Sequence, residues 1–140
     1  MSRTRVETRA RARALQALYA WDMRGDSANL EKVATRVWDD MAISPEERRV
    51  AGPIMRMVAT RRDAIDAQLA DVTTNWRLER IGAVERCVLR LAAAELTIGE
   101  TPPKVIIQES VTLAERYGSA ASAKFVNGVL DALARRMGRM

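Results

Sequence analysis

The chain has 140 residues, one domain by length and enough to bury a core without disulfides or metals. A single cysteine and no histidine exclude an intramolecular disulfide, histidine-dependent catalysis and every histidine-containing zinc site. The net charge of +5 is concentrated, because residues 1–13 carry five arginines against Glu7 and the rest of the chain is balanced to within one charge.

Apolar periodicity predicts helices almost throughout. Ala14, Leu15, Leu18 and Trp21 recur at three and four and mark the buried stripe of a first helix that Gly25 and Asp26 end. Ser27 is the expected cap of a second helix, with Leu30, Val33, Val37 and Met41 facing inward. "SPEE" at 44–47 is a start signal, with Ser44 as N-cap, Pro45 at the first helical position and Glu47 completing a capping box. The helix that follows carries Val50, Ile54, Val58, Ile65, Leu69 and Val72, and Pro53 predicts a kink or break near Ala51–Gly52.

Residues 73–76 are expected to connect to a helix with Ile81, Val84, Cys87, Val88 and Leu91 on one stripe, Cys87 being a buried structural thiol. Pro102–Pro103 opens a helix to Tyr117 with Gly118 as its stop. The apolar triplet at 105–107 could suit a strand, but the preceding prolines and the helical spacing of Glu109 and Glu115 favour helix. A last helix begins near Ser122 and buries Phe125, Val126, Val129, Leu130 and Leu133. The expected fold is an all-α bundle of about six or seven helices in a single domain over 1–140, with an arginine-rich arm at 1–13.

No apolar run approaches the 18 or so residues of a membrane span, so no membrane role is expected. No apolar segment follows the N-terminal charge as a secretory signal requires, and the cytoplasm is the expected location. The scattered glycines form no phosphate-binding loop, so neither an enzyme nor a cofactor is expected. Adjacent acids such as Asp39–Asp40 and Glu46–Glu47 do not share a helix face and read as surface charge.

A localised basic cluster is the footprint of a polyanionic partner. At about 100° per residue, Arg5, Arg9 and Arg13 form one ridge opposite Leu15, Leu18 and Trp21. Arg11 falls on the core side, where it either projects past the end of the bundle or pairs with a carboxylate. Cations at a helix N-terminus oppose the macrodipole by roughly 0.3–1 kcal/mol each, a cost that favours a functional reading over a solvated arm. Tyr19, between ridge and core, suits a stacking platform for a single-stranded base.

Four segments, "ALQALYAW" (14–21), "NWRLERIGAVERCVLRLAAAEL" (75–96), "PKVIIQESVTLAERYG" (103–118) and "KFVNGVLDALA" (124–134), resemble the NusB family of transcription antitermination factors in order and over nearly the whole chain. The resemblance implies an all-helical, non-enzymatic protein that binds the single-stranded boxA sequence of ribosomal RNA leaders. It implies as partners NusE, a small-subunit ribosomal protein, and the RNA polymerase antitermination complex. It assigns RNA contacts to Arg3, Arg5, Arg9 and Arg11 with Tyr19 close by, a second RNA site to Lys124, Phe125 and Asn127, and partner contacts to Glu85 and Arg86.

The chain departs from the family pattern at Ala12, where an acid is common, at Ala120 and Ala121, and at Ala94, where an aromatic is common. Gly128 costs about 1 kcal/mol in a helix interior relative to alanine and is expected to permit close helix packing. Two other functions fit the residues less well: a NusB-like fragment of an RNA methyltransferase, and a helical protein-interaction module, such as a homodimer, without RNA.

Overall fold

The computed structural model describes residues 2–25, 27–73 and 80–140, with residues 2–4 as backbone alone. The expected connection at 74–76, including Trp76, lies outside the described residues, as does Asp26. Six helices occur among the described residues and no strand: α1 (Ser2–Asp22), α2 (Leu30–Met41), α3 (Pro45–Val72), α4 (Ala83–Ile98), α5 (Pro103–Tyr117) and α6 (Ala120–Arg136). The arginine-bearing segment is therefore not an arm ahead of the first helix. It is the first half of α1.

α4 is the central element. Every residue from Cys87 to Leu96 is buried, and the helix packs against α1, α3, α5 and α6. Leu18, Met55, Leu89, Leu96, Ile106 and Leu130 are fully buried around it, each contributing about 1.5–3 kcal/mol relative to exposure. Cys87 lies wholly inside this core. α1 and α3 cover one side, α5 and α6 pair with each other on another, and α2 packs on α1 and α3. Trp38 Nε1 of α2 donates to the Arg13 carbonyl of α1 at 3.0 Å, tying the two helices together.

Several boundaries differ from the expectations. Asn29, not Ser27, caps α2 by accepting the Lys32 N–H at 3.0 Å. The inward face of α2 is Leu30, Val33, Ala34 and Trp38, while Met41 is exposed because the helix ends there and Ala42 turns away in a left-handed conformation. α6 starts at Ala120, with Ser119 accepting the Ser122 N–H. The residues at 105–107 are helical, with Ile106 and Ile107 buried and Val105 exposed.

Pro53 does not break α3. Gly52 lacks the Cβ that would press on the proline ring, and the helix runs through both residues. The interruption falls at Arg61, with φ −118° and ψ 22°. Beside it the Thr60 hydroxyl donates to the Arg56 carbonyl at 2.8 Å, the back-bonding that bends helices. The bend carries Arg62 over the ring of Trp21, 5.1 Å from its centroid.

Gly128 faces open space, with nothing within 4 Å of where a Cβ would stand, so it serves no close packing. Gly128→Ala is expected to raise the unfolding free energy by up to about 1 kcal/mol through helix propensity alone, read as a higher urea midpoint with an unchanged m-value.

Candidate nucleic-acid interface

The first four turns of α1 sort their arginines by helical angle. Arg5 is exposed and has no ion pair among the described residues. Arg9 keeps a side chain that is 51% exposed, and Arg13 one that is 29% exposed. Both donate through Nε to a single acid, Glu47 of α3, at 2.8 Å from Arg9 and 3.4 Å from Arg13. The Arg3 side chain lies outside the described residues.

Glu47 departs from two expectations. It is buried, not surface charge. Its N–H bonds the Ser44 hydroxyl at 3.1 Å as a cap requires, but its carboxylate turns to the arginines instead of completing a capping box. Burial pushes this carboxyl up, yet the hydrogen bonds and charges of Arg9 and Arg13 outweigh it and hold the group below its ordinary value. The first turn of α3, where the helix dipole favours an anion, suits the same charge.

Arg11 has another role. It is buried, with Nε and Nη2 donating to the two Glu95 oxygens at 2.7 and 2.8 Å and Nη1 to Glu109 at 3.3 Å. Burial opposes its charge, but Glu95 and Glu109 more than compensate, and its pKa is raised. The expected RNA contact at Arg11 is thus corrected: the guanidinium is an internal clasp between α1, α4 and α5, because its angle on α1 turns it into the bundle. Thr8 reinforces the clasp by donating to Glu109 at 2.8 Å.

A groove between α1 and α5 is lined by Thr8, Arg9, Arg13, Gln16, Arg116 and Tyr117 among others. Gln16 Nε2 donates to the Tyr117 hydroxyl at 3.3 Å, and the Arg116 guanidinium lies over the Tyr117 ring at 5.4 Å. Arg116 and Tyr117 were not expected at this surface. A basic residue in a last helical turn ordinarily reads as dipole compensation, and only docking of α5 on α1 brings the pair beside Arg9. Tyr19 is 40% exposed on the same side of α1 as Thr8 and Ala12.

Lys124 and Asn127 are exposed on α6, and Phe125 is half-buried against the core. Lys124 and Asn127 line a second groove with Lys104 and Gln108 of α5. Thr112 borders both grooves, so the two sets of residues flank α5 on opposite sides.

Glu85 and Arg86 are tied up internally. Glu85 accepts the Ser122 hydroxyl, joining α4 to α6. Arg86 donates to both oxygens of Asp22 and to the Ile81 carbonyl, with its side chain 16% exposed. Arg90 joins the same acid at 3.2 Å and also grips Asp66 at 2.9 and 3.0 Å, while its guanidinium sits 5.7 Å from the Trp21 centroid. The expected partner contact at Arg86 is corrected to this structural role, since the buried Asp22 of α1 and the half-buried Asp66 of α3 claim the cations of α4. Asp22, Asp66 and Arg90 had no sequence signal beyond helical spacing.

These features define the class: a small all-α bundle whose first helix presents cations and an aromatic edge at open grooves. Residues 8–135 match the family model for the NusB family. The transcription antitermination protein NusB of Anaeromyxobacter dehalogenans is 45% identical over 94% of this chain and 92% of its own length. That of Sorangium cellulosum is 44% identical over 93% and 92%. A solved structure of T. maritima NusB superposes with a TM-score of 0.81 at 32% identity, covering 92% of this chain and 90% of that one. A structure of antitermination factors NusB and NusE in complex with double-stranded RNA gives 0.84 at 29% identity, covering 97% and 99%. The chain belongs to the NusB family of non-enzymatic transcription antitermination factors.

Proposed function

We propose that this antitermination factor binds boxA-type single-stranded RNA of ribosomal RNA operons together with NusE, in the cytoplasm and as part of the RNA polymerase antitermination complex. The observation that carries the reading is the outward ridge of Arg5 and Arg9 on α1, continued across the groove by Arg116 and Tyr117. Phosphates take the arginines, and an exposed aromatic such as Tyr19 stacks a base. Lys124 and Asn127 extend the surface past α5, with Phe125 supporting them from the core side. The solved relative that holds both NusE and RNA supports this pair of partners. The match to antitermination proteins over 92% of their own length favours this role over that of an enzyme's accessory domain.

The test is a titration of labelled boxA-type RNA and a scrambled control across salt, with and without NusE. Each single-strand phosphate contact contributes about −0.7 to the log–log salt slope. Arg5→Ala/Arg9→Ala is therefore expected to flatten the slope by about 1.4 and weaken binding at least tenfold. Equal affinity for both RNAs, or an unchanged slope in the variant, would overturn the reading.

A further inference from the structure

We infer that Glu47 is a specificity-determining positioning residue, holding Arg9 and Arg13 by their Nε edges so that their terminal nitrogens meet an RNA strand in one orientation. The inference rests on the RNA-binding reading above. No role in recognition attaches to an acid by sequence, since an acid in a polyanion-binding surface opposes binding through its charge.

The geometry gives the acid a different use. Glu47 is 5% exposed, and its two oxygens serve two different arginines, Oε2 taking Arg9 Nε and Oε1 taking Arg13 Nε. Arg13 Nη1 contacts Gln16 at 3.4 Å, while its Nη2 and both Nη atoms of Arg9 have no partner among the described residues. A guanidinium offers two bidentate edges, one through Nε and one through the terminal pair. With Nε engaged, the terminal edge is the one left for phosphate. The two groups stand one helical turn apart, about 6 Å along α1, and the shared acid suppresses the repulsion that would splay them.

Replacing the carboxylate with an amide removes this common anchor. The arginines then repel, regain rotamer freedom and follow any phosphate that approaches. Affinity for RNA in general rises, because a buried negative charge no longer offsets the two cations above it. Discrimination falls, because the strand's register on the protein is no longer imposed by fixed cations.

The experiment compares Glu47→Gln with the wild-type chain and Arg9→Ala, each titrated with the boxA-type RNA and with a scrambled RNA of equal length. Removal of one charge at about 7 Å is expected to tighten scrambled-RNA binding by about threefold or more, the water-like dielectric setting the lower limit, while the preference for boxA drops by at least about threefold. A Glu47→Gln protein that keeps the wild-type preference, or that loses affinity for both RNAs in equal proportion, overturns the inference and leaves Glu47 a structural acid. A wild-type chain without preference, or Arg9→Ala with undiminished affinity, sinks the RNA reading itself and the inference with it. If Glu47→Gln does not fold by circular dichroism, Glu47→Asp decides: it keeps the charge but is one methylene too short to span both Nε atoms. Lost preference in that variant upholds the inference, and retained preference overturns it.

Discussion

Arg11→Ala is expected to lower the unfolding free energy by about 3–5 kcal/mol, the cost of leaving one partner of a buried ion pair behind. The abandoned partner is Glu95, whose side chain is only 10% exposed and loses two short hydrogen bonds at once. Glu109 loses its bond to Arg11 as well and keeps the Thr8 hydroxyl. In a domain of this size the midpoint of thermal unfolding falls on the order of 10 °C or more. Arg11→Lys recovers little, since an ammonium cannot serve both carboxylate oxygens with a planar fork. RNA affinity of whatever remains folded is expected to stay near that of the wild-type chain, the opposite of the Arg5→Ala/Arg9→Ala pattern. A thermal melt paired with one RNA titration checks both halves. Full stability with lost RNA binding would return Arg11 to the recognition surface.

Asp22→Ala has the second large effect. The Asp22 side chain is 4% exposed and stands between Arg86 and Arg90, the latter also 4% exposed. Without it Arg86 keeps only the Ile81 carbonyl among the partners described above, and Arg90 keeps Asp66. Arg90 then has one of these two acids where it had both, and Arg86 loses both of its bonds to Asp22. The expected loss is about 3 kcal/mol or more, measured as a lower urea midpoint at constant m-value. A change under 1 kcal/mol would mean that the Arg86 and Arg90 side chains swing to water without cost, which their burial argues against.

The helices themselves were legible because a buried stripe is a local pattern. Leu15, Leu18 and Trp21 in α1, and Ile54, Val58, Ile65 and Leu69 in α3, are buried as their spacing predicts. Pro102–Pro103 and Gly118 bound α5 at the expected residues. Capping was legible to within two or three residues. Asn29 and Ser27 are equally good cap types, as are Ser119 and Ser122, and the choice depends on which backbone turns outward. The bend in α3 lies at Arg61, away from the conspicuous breaker Pro53, and no residue type there signals it.

The arginines show the same division within one helix. Their angles alone separate Arg5, Arg9 and Arg13 from Arg11, and the structure keeps that separation. What the angles could not say is that Arg11 meets Glu95, 84 residues away, or that Arg9 and Arg13 converge on Glu47. Arg86, to which the family resemblance assigns a partner contact, instead meets Asp22, which α1 brings to it across 64 residues.

By itself the sequence determined the fold class, most of the buried stripe of the helices and the side of α1 that turns Arg5, Arg9 and Arg13 away from the core. Each depends on residues a few positions apart, and helical geometry fixes their relative directions. Only the tertiary structure decided which charges are free and which are spent, and which aromatic and cationic groups share a groove. That outcome depends on the angles at which six helices dock. Ion pairs form between groups that docking brings within about 3 Å, and no local pattern along the chain encodes that distance.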